Sequence, residues 1–284
     1  MAIDEYSLNH PDNHHRKRYA RILPLESSDP KFAQVEKLFL KGWCHPNKPK
    51  QDIRAVFKVL SSDESLELYT NYKSQVQAFN LLSRFKKGAN EQLYFHGTRR
   101  SCALGQDSNK VLLCNSPECV LCSIIRGSFD VGKCGKSLQR SSIFDSFGTG
   151  IYTTACSSKA DDYYSVGQSR QQYAGSKTAS RNSRVLLLNR VVVGRPHNRR
   201  HNATHMNQPP SGHHSVVGLP GVDLNYEETV VYRNDAIRPA YLVVYEPRLE
   251  QKKQGLFPNS HDSQKSVRSY SKVFSALFKT PLAV

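Results

Sequence analysis

Apolar residues along this chain fall into short periodic groups that change period several times. Phe32, Val35, Leu38 and Phe39 recur at helical spacing behind Ser28-Asp29-Pro30, where a proline suits the first helical position. Trp43 to Lys50, with two prolines and an asparagine, ends that helix. Ile53, Ala55, Phe57 and Val59 alternate, which predicts a strand over 52–60 with one face buried. Ser61-Ser62-Asp63-Glu64 fits a capping box. Leu66, Tyr69, Tyr72, Val76 and Phe79 then predict the longest helix, over 62–85. A short apolar strand follows at 93–98. Residues 102–134 read as irregular, then helical from Val120 to Arg126. A strand at 150–154 and a helix at 157–165 come next. Residues 185–193 form a strongly apolar strand interrupted at Asn189-Arg190. Residues 194–214, rich in Pro, Asn, His and Arg, read as a long loop. Strands at 229–232 and 240–245 close the pattern. Helices come early and strands dominate late, so the class is α+β with a largely antiparallel sheet.

These elements occupy 21–248. Residues 1–20, polar and containing His14-His15-Arg16-Lys17-Arg18, read as a flexible basic arm without an apolar core of signal-peptide length. Residues 249–284 read as a basic tail, where Val267, Tyr270, Phe274, Leu277 and Phe278 line one face of a helix that docks on the domain or stays frayed, with a basic amphipathic segment for a membrane or partner as the rival reading. No run approaches the length of a membrane span. The net charge of +16 suits anionic partners, yet no specific nucleic-acid-reading motif accompanies it. With 14 Tyr and 12 Phe, the 284 residues can bury a sizeable core.

Charge leaves the chemistry open; the cysteines narrow it. Five of the seven lie between 102 and 134, a pattern that suits reduced thiols on a metal inside a cell better than a secreted disulfide frame. Cys114-x₄-Cys119-x₂-Cys122 is a compact trio, and zinc prefers four tetrahedral thiolate or imidazole ligands. The expected set is Cys102, Cys114, Cys119 and Cys122, with Cys134 as the substitute for Cys102. Polar stretches between them could hardly fold unaided, so Zn²⁺ is expected to staple the 102–134 insertion. Cys44 and Cys156 are expected to stand alone and packed. His197, His201, His205, His213 and His214 sit with Arg195, Arg199 and Arg200 in what reads as a solvated basic loop, with a second metal site as the rival reading.

Two segments flank the cysteines: Leu93-Tyr94-Phe95-His96-Gly97-Thr98 and Phe147-Gly148-Thr149-Gly150-Ile151-Tyr152, the latter followed by Ser157-Ser158-Lys159 and Tyr163. With Glu228-Thr229-Val230-Val231-Tyr232 and the approach His214-Ser215-Val216-Val217-Gly218, they resemble the catalytic domain of the poly(ADP-ribose) polymerase family over about residues 20–248. That family carries a His-Tyr-Glu signature on three separated segments. The resemblance implies an ADP-ribosyltransferase fold and cleavage of NAD⁺ between ribose and nicotinamide, through an oxocarbenium-like sugar as in glycoside hydrolysis.

The same resemblance implies the roles. His96 would hydrogen-bond the adenosine ribose. Gly97 would let the backbone reach the nicotinamide carboxamide, with Thr98 beside it. Tyr152 and Tyr163 would face the ring. Glu228, preferred to Glu227 because it stands four residues before Tyr232, would bind the ribose 2′-OH and orient an acceptor. The catalytic set is then Glu228, His96 and Tyr152, and the NAD⁺-binding set His96, Gly97, Thr98, Tyr152, Ser158 and Tyr163. One departure stands out: where the family usually has a carboxamide-binding Ser, eight residues after Tyr152, this chain has Ala160. Ser158 is the nearest hydroxyl, though not an obvious substitute.

The expected function is transfer of ADP-ribose to a protein or nucleic-acid acceptor, single units rather than chains. The alternative is a catalytically inactive zinc module that binds ADP-ribose or RNA, and a weaker one is an RNA 2′-phosphotransferase-like relative. The expected location is intracellular, cytoplasm or nucleus. Oligomeric state is not legible.

Overall fold

The computed structural model describes residues 18–82, 88–134, 146–165 and 183–248. Most of the basic arm and all of the expected tail helix lie outside the described residues. Chain order is β1 (Arg21–Pro24), α1 (Pro30–Gly42), β2 (Gln51–Leu60), α2 (Asp63–Leu82), β3 (Glu91–Gly97), α3 (Val120–Gly127), β4 (Ile151–Thr153), α4 (Ser157–Ser165), β5 (Arg184–Val192), β6 (Pro196–Arg199), β7 (Ser215–Gly218), β8 (Glu228–Val231) and β9 (Ile237–Pro247). The α+β expectation holds: one sheet runs β1-β2-β9-β5-β3, the other β4-β8-β7-β6.

Sequence chemistry accounts for the elements. Asp29 caps α1 by accepting from Lys31 N at 2.7 Å, and Pro30 fills the first turn. At α2 the Ser61–Glu64 box is not made: Ser61 Oγ is buried without a hydrogen-bond partner, and Ser62 Oγ instead accepts from Ser65 N at 3.3 Å, while the acidic residues occupy the first turn, where the helix dipole favours them. The central strands β5 and β9 are apolar on both faces because both faces are covered. Val185, Leu187, Leu242 and Val244 pack with α2 residues Tyr69, Tyr72 and Val76 and with α3. Leu186, Leu188, Val243 and Tyr245 pack on the other face with Val35 and Phe39 of α1 and Ala160 of α4.

Two expectations change, and one strand is added. Asn189-Arg190 does not interrupt β5; the strand continues through a register shift against β9 at Leu188/Asn189, and the buried Asn189 amide donates to the carbonyls of Tyr94 and Leu187. The expected loop 194–214 holds β6, which pairs in parallel with β7, so His214 to Gly218 approaches the last segment largely as a strand. Its polar, part-exposed residues gave no alternation to read. The added strand is the four-residue β1, an edge strand whose one buried residue (Ile22) is too little to set up an alternation in the sequence.

The two sheets meet where β3 ends. Phe95 and Thr154 exchange both backbone hydrogen bonds, at 2.8 and 3.0 Å, in an isolated antiparallel bridge.

Candidate active site and cysteine centre

A cleft opens at this junction, lined by Phe95, His96, Gly97, Tyr152, Thr153, Thr154, Ala160, Tyr163 and Glu228. Five of the residues singled out from sequence as catalytic or NAD⁺-binding are therefore together: His96 and Gly97 from β3, Tyr152 from β4, Tyr163 from α4 and Glu228 from β8.

His96 Nδ1 sits 2.8 Å from the Tyr152 carbonyl oxygen, across the sheet junction. Burial pushes the imidazole below its ordinary pKa, against the opposing pull of that bond. A neutral ring then has one nitrogen committed to the carbonyl and the other open to a partner. The Tyr152 ring is fixed at its far end: its hydroxyl donates to Gly148 O at 2.8 Å and accepts from Phe147 N at 2.9 Å. Phe147 O in turn accepts from the Tyr232 hydroxyl at 2.7 Å. Gly148, at φ +69, and Gly150, whose added Cβ would crowd Val230, let this turn lie flat against its neighbours.

Glu228 is 4 % exposed and is the carboxylate that reaches the cleft. Its Oε1 is 2.9 Å from Lys159 Nζ and accepts from the Tyr163 hydroxyl at 3.1 Å. Lys159 also donates to the Tyr226 carbonyl at 2.9 Å. No role for Lys159 was read from the sequence. The signal was there: Lys159 and Tyr163 are four apart on α4, hence on one face, and Ala160 is three before Tyr163.

Gly97 has a structural reason beyond close approach to a ligand. A Cβ there would overlap the Ala160 carbonyl oxygen and come within 2.9 Å of Tyr163 Cβ. Strand β3 and helix α4 touch backbone to backbone at the cleft wall. The helix is held from behind by Asp161, buried at 1 % exposure, which meets Lys48 and Arg184 at 2.8 Å and accepts from Tyr245 at 2.6 Å.

Two expected NAD⁺ contacts are not brought to the cleft. Thr98 is buried beyond Gly97 and does not line it. Ser158 turns the other way: its Oγ accepts from the backbone N–H groups of Cys44 and His45 at 3.0 and 3.2 Å and lies 2.6 Å from His45 Nδ1. At helical spacing Ser158 and Ala160 point to different sides of α4, and it is Ala160 that faces the cleft.

The expected cysteine set is assembled. The sulfurs of Cys102, Cys114, Cys119 and Cys122 all lie within 4.8 Å of one another, and Cys134 is outside the group. Cys102 is 3.6 Å from Cys122 and 3.7 Å from Cys119. Two thiolates on one tetrahedral zinc stand about 3.8 Å apart, from a Zn–S bond of about 2.3 Å. The donors and their spacing therefore fit Zn²⁺. A hydrogen bond from Cys122, outweighing burial and joined by backbone bonds at Ser101 and Cys122, holds the Cys119 thiol well below its ordinary range. The same bond and burial push Cys122 up. Cys119 also stands at the N-terminal end of α3, where the helix dipole favours a thiolate, without a side-chain capping bond. From α3 the chain runs to Phe129, which stands edge-on to the His96 ring at 5.0 Å. The cysteine segment thus backs the cleft. No second metal cluster forms from the His197–His214 region among the described residues. His213 packs edge-on to His197, and His214 packs edge-on to Phe79.

A split, mostly antiparallel pair of sheets with a His on one and a Glu on the other across a shared cleft defines an ADP-ribosyltransferase fold. The model of the poly(ADP-ribose) polymerase catalytic domain matches residues 30–222, over half of the chain, and the chain belongs to that family, whose enzymes use NAD⁺ as substrate. The match opens at the first residue of α1 and stops six residues short of Glu228, so the assignment of that carboxylate rests on geometry. No helix among the described residues is long and apolar enough to cross a membrane.

Proposed function

We propose that this chain is an active ADP-ribosyltransferase that cleaves NAD⁺, releases nicotinamide and transfers single ADP-ribose units to a protein or nucleic-acid acceptor inside the cell. The observation that carries the reading is Glu228, a buried carboxylate presented to the cleft between Lys159 and Tyr163, opposite His96 and Gly97. Fixed negative charge beside a ribose stabilises the oxocarbenium-like transition state as the glycosidic bond breaks and its electron pair leaves with nicotinamide. The acceptor then bonds to the anomeric carbon, and Glu228 is placed to take its proton. Tyr163 and Lys159 both hold the Oε1 oxygen and so fix the carboxylate in the cleft. The pinned ring of Tyr152 offers an aromatic wall to nicotinamide. His96, fixed by the Tyr152 carbonyl, offers its other nitrogen to the adenosine ribose.

Cys102, Cys114, Cys119 and Cys122 are proposed to hold a structural Zn²⁺. When bound, the ion would supply folding free energy to the insertion, and four protein ligands leave it no open position for substrate.

The test is labelled NAD⁺ turnover by wild type, Glu228→Gln and His96→Ala. Nicotinamide release and transfer to the protein itself, to RNA and to DNA are followed, with product size read on gels. Glu228→Gln keeps the shape and removes the charge, so release is expected to fall about 10²–10³-fold in an intact fold. No turnover by folded, zinc-loaded wild type would replace the enzyme with the ADP-ribose or RNA-binding module.

A further inference from the structure

Cys44 and Cys156, 112 positions apart and expected to be solitary, meet in the fold. Their sulfurs are 2.8 Å apart. Cys44 follows α1 and is exposed, whereas Cys156 immediately precedes α4 and is buried. His45 Nδ1 lies 4.0 Å from Cys156 Sγ and makes a third donor. The set differs from the other cysteine cluster in the distance that matters. Sulfurs sharing a tetrahedral zinc need about 3.8 Å between them, and these two are too close to bracket an ion. Nor is the imidazole waiting for a metal, because Ser158 Oγ engages its Nδ1 at 2.6 Å. What the pair has is the proximity and the one-sided access that thiol–disulfide exchange requires.

We propose that Cys44 and Cys156 are a reversible disulfide pair, closed by a small-molecule disulfide such as oxidised glutathione. The thiolate of Cys44, reachable from solvent, attacks one sulfur of the oxidant and displaces a glutathione thiolate. Cys156 then attacks the Cys44 sulfur of the mixed disulfide, forming the Cys44–Cys156 bond and displacing the second glutathione. Both protein thiols are oxidised, the oxidant is reduced to two glutathiones, and those carry off the two protons. The bond ties the segment after α1 to the residue just before the helix that carries Lys159, Ala160 and Tyr163. This assignment stands apart from the catalytic reading, because its test is chemical.

Zinc-saturated full-length protein is incubated with oxidised glutathione, alkylated, digested and analysed by mass spectrometry, with total zinc measured alongside. The expected result is a dithiothreitol-reversible Cys44–Cys156 linked peptide in wild type and none in Cys44→Ser. Cys156→Ala, lacking the resolving thiol, should instead accumulate glutathione on Cys44. Zinc content should be equal in wild type and Cys44→Ser. The proposal is overturned if both thiols stay open to alkylation after oxidation, if wild type stops at the mixed disulfide, or if Cys44→Ser loses an equivalent of zinc. The last outcome would make the trio a metal site.

Discussion

Replacing Gly97 with alanine separates two reasons for a glycine beside the site histidine. If Gly97 serves only to let a ligand approach, Gly97→Ala should leave the ligand-free protein as stable as wild type. The structure gives a different expectation. The new methyl would overlap the Ala160 carbonyl oxygen and stand 2.9 Å from Tyr163 Cβ, where carbon contacts ordinarily lie at about 3.5–4.0 Å. Neither side yields easily: β3 is paired with β5 through Gly97↔Leu186, and α4 is fastened through the buried Asp161. Relief requires a displacement on the order of 1 Å, and overpacking of this kind costs about 1–3 kcal/mol. For a domain of this size, that lowers Tm by about 2–12 °C. The same displacement moves Lys159 and Tyr163 off Glu228, and a misplacement of about 1 Å at a catalytic group costs on the order of 10²-fold in rate. The assay is thermal unfolding without NAD⁺, followed by kcat/KM from nicotinamide release. Gly127→Ala is the control, since an added Cβ there meets nothing within 4 Å. A Gly97→Ala protein with wild-type Tm and wild-type kcat/KM would refute the packing argument.

Restoring the hydroxyl in Ala160→Ser should add one hydrogen bond to the carboxamide, worth about 0.5–1.5 kcal/mol, and lower KM for NAD⁺ by up to about tenfold. An unchanged KM from steady-state kinetics would mean that this side of α4 does not face nicotinamide. Stripping metal with a strong chelator, or making Cys122→Ser, should loosen the 102–134 segment and, through Phe129, the His96 ring. Hydrogen exchange should then rise first in α3 and next in β3, and unchanged exchange after measured zinc loss would remove the stapling role.

Much of the architecture was legible because it follows local rules. Helices α1 and α2 announced themselves by apolar period, by Pro30 and by their flanking polar residues. Strands β5 and β9 did so through apolar runs that only a doubly covered sheet can use. The site was legible only as an ordered set, since His96, Tyr152 and Glu228 singly are ordinary residues. Hidden features were those created by tertiary approach. Nothing in the polar run 196–199 announces a strand, because its partner β7 supplies the reason for it. Ser158 and Ala160 are two apart, and only the docking of α4 decides which one faces the cleft. Gly97 reads from sequence as a ligand position, and its second role, close approach to the backbone of α4, exists only in the fold. Cys44 and Cys156 looked solitary because sequence separation says nothing about where a loop lands.

The bridge between Phe95 and Thr154 makes the cleft a joint between two sheets. His96 belongs to one side and Glu228 to the other, so their separation is a gauge of how the sheets are seated, more than of either sheet's own integrity. A dinucleotide lying across the seam would act as a splint. It would add contacts on both sides and stabilise the seated arrangement by its own binding free energy. Inhibitors that span the joint would therefore stiffen it more than those confined to the nicotinamide end.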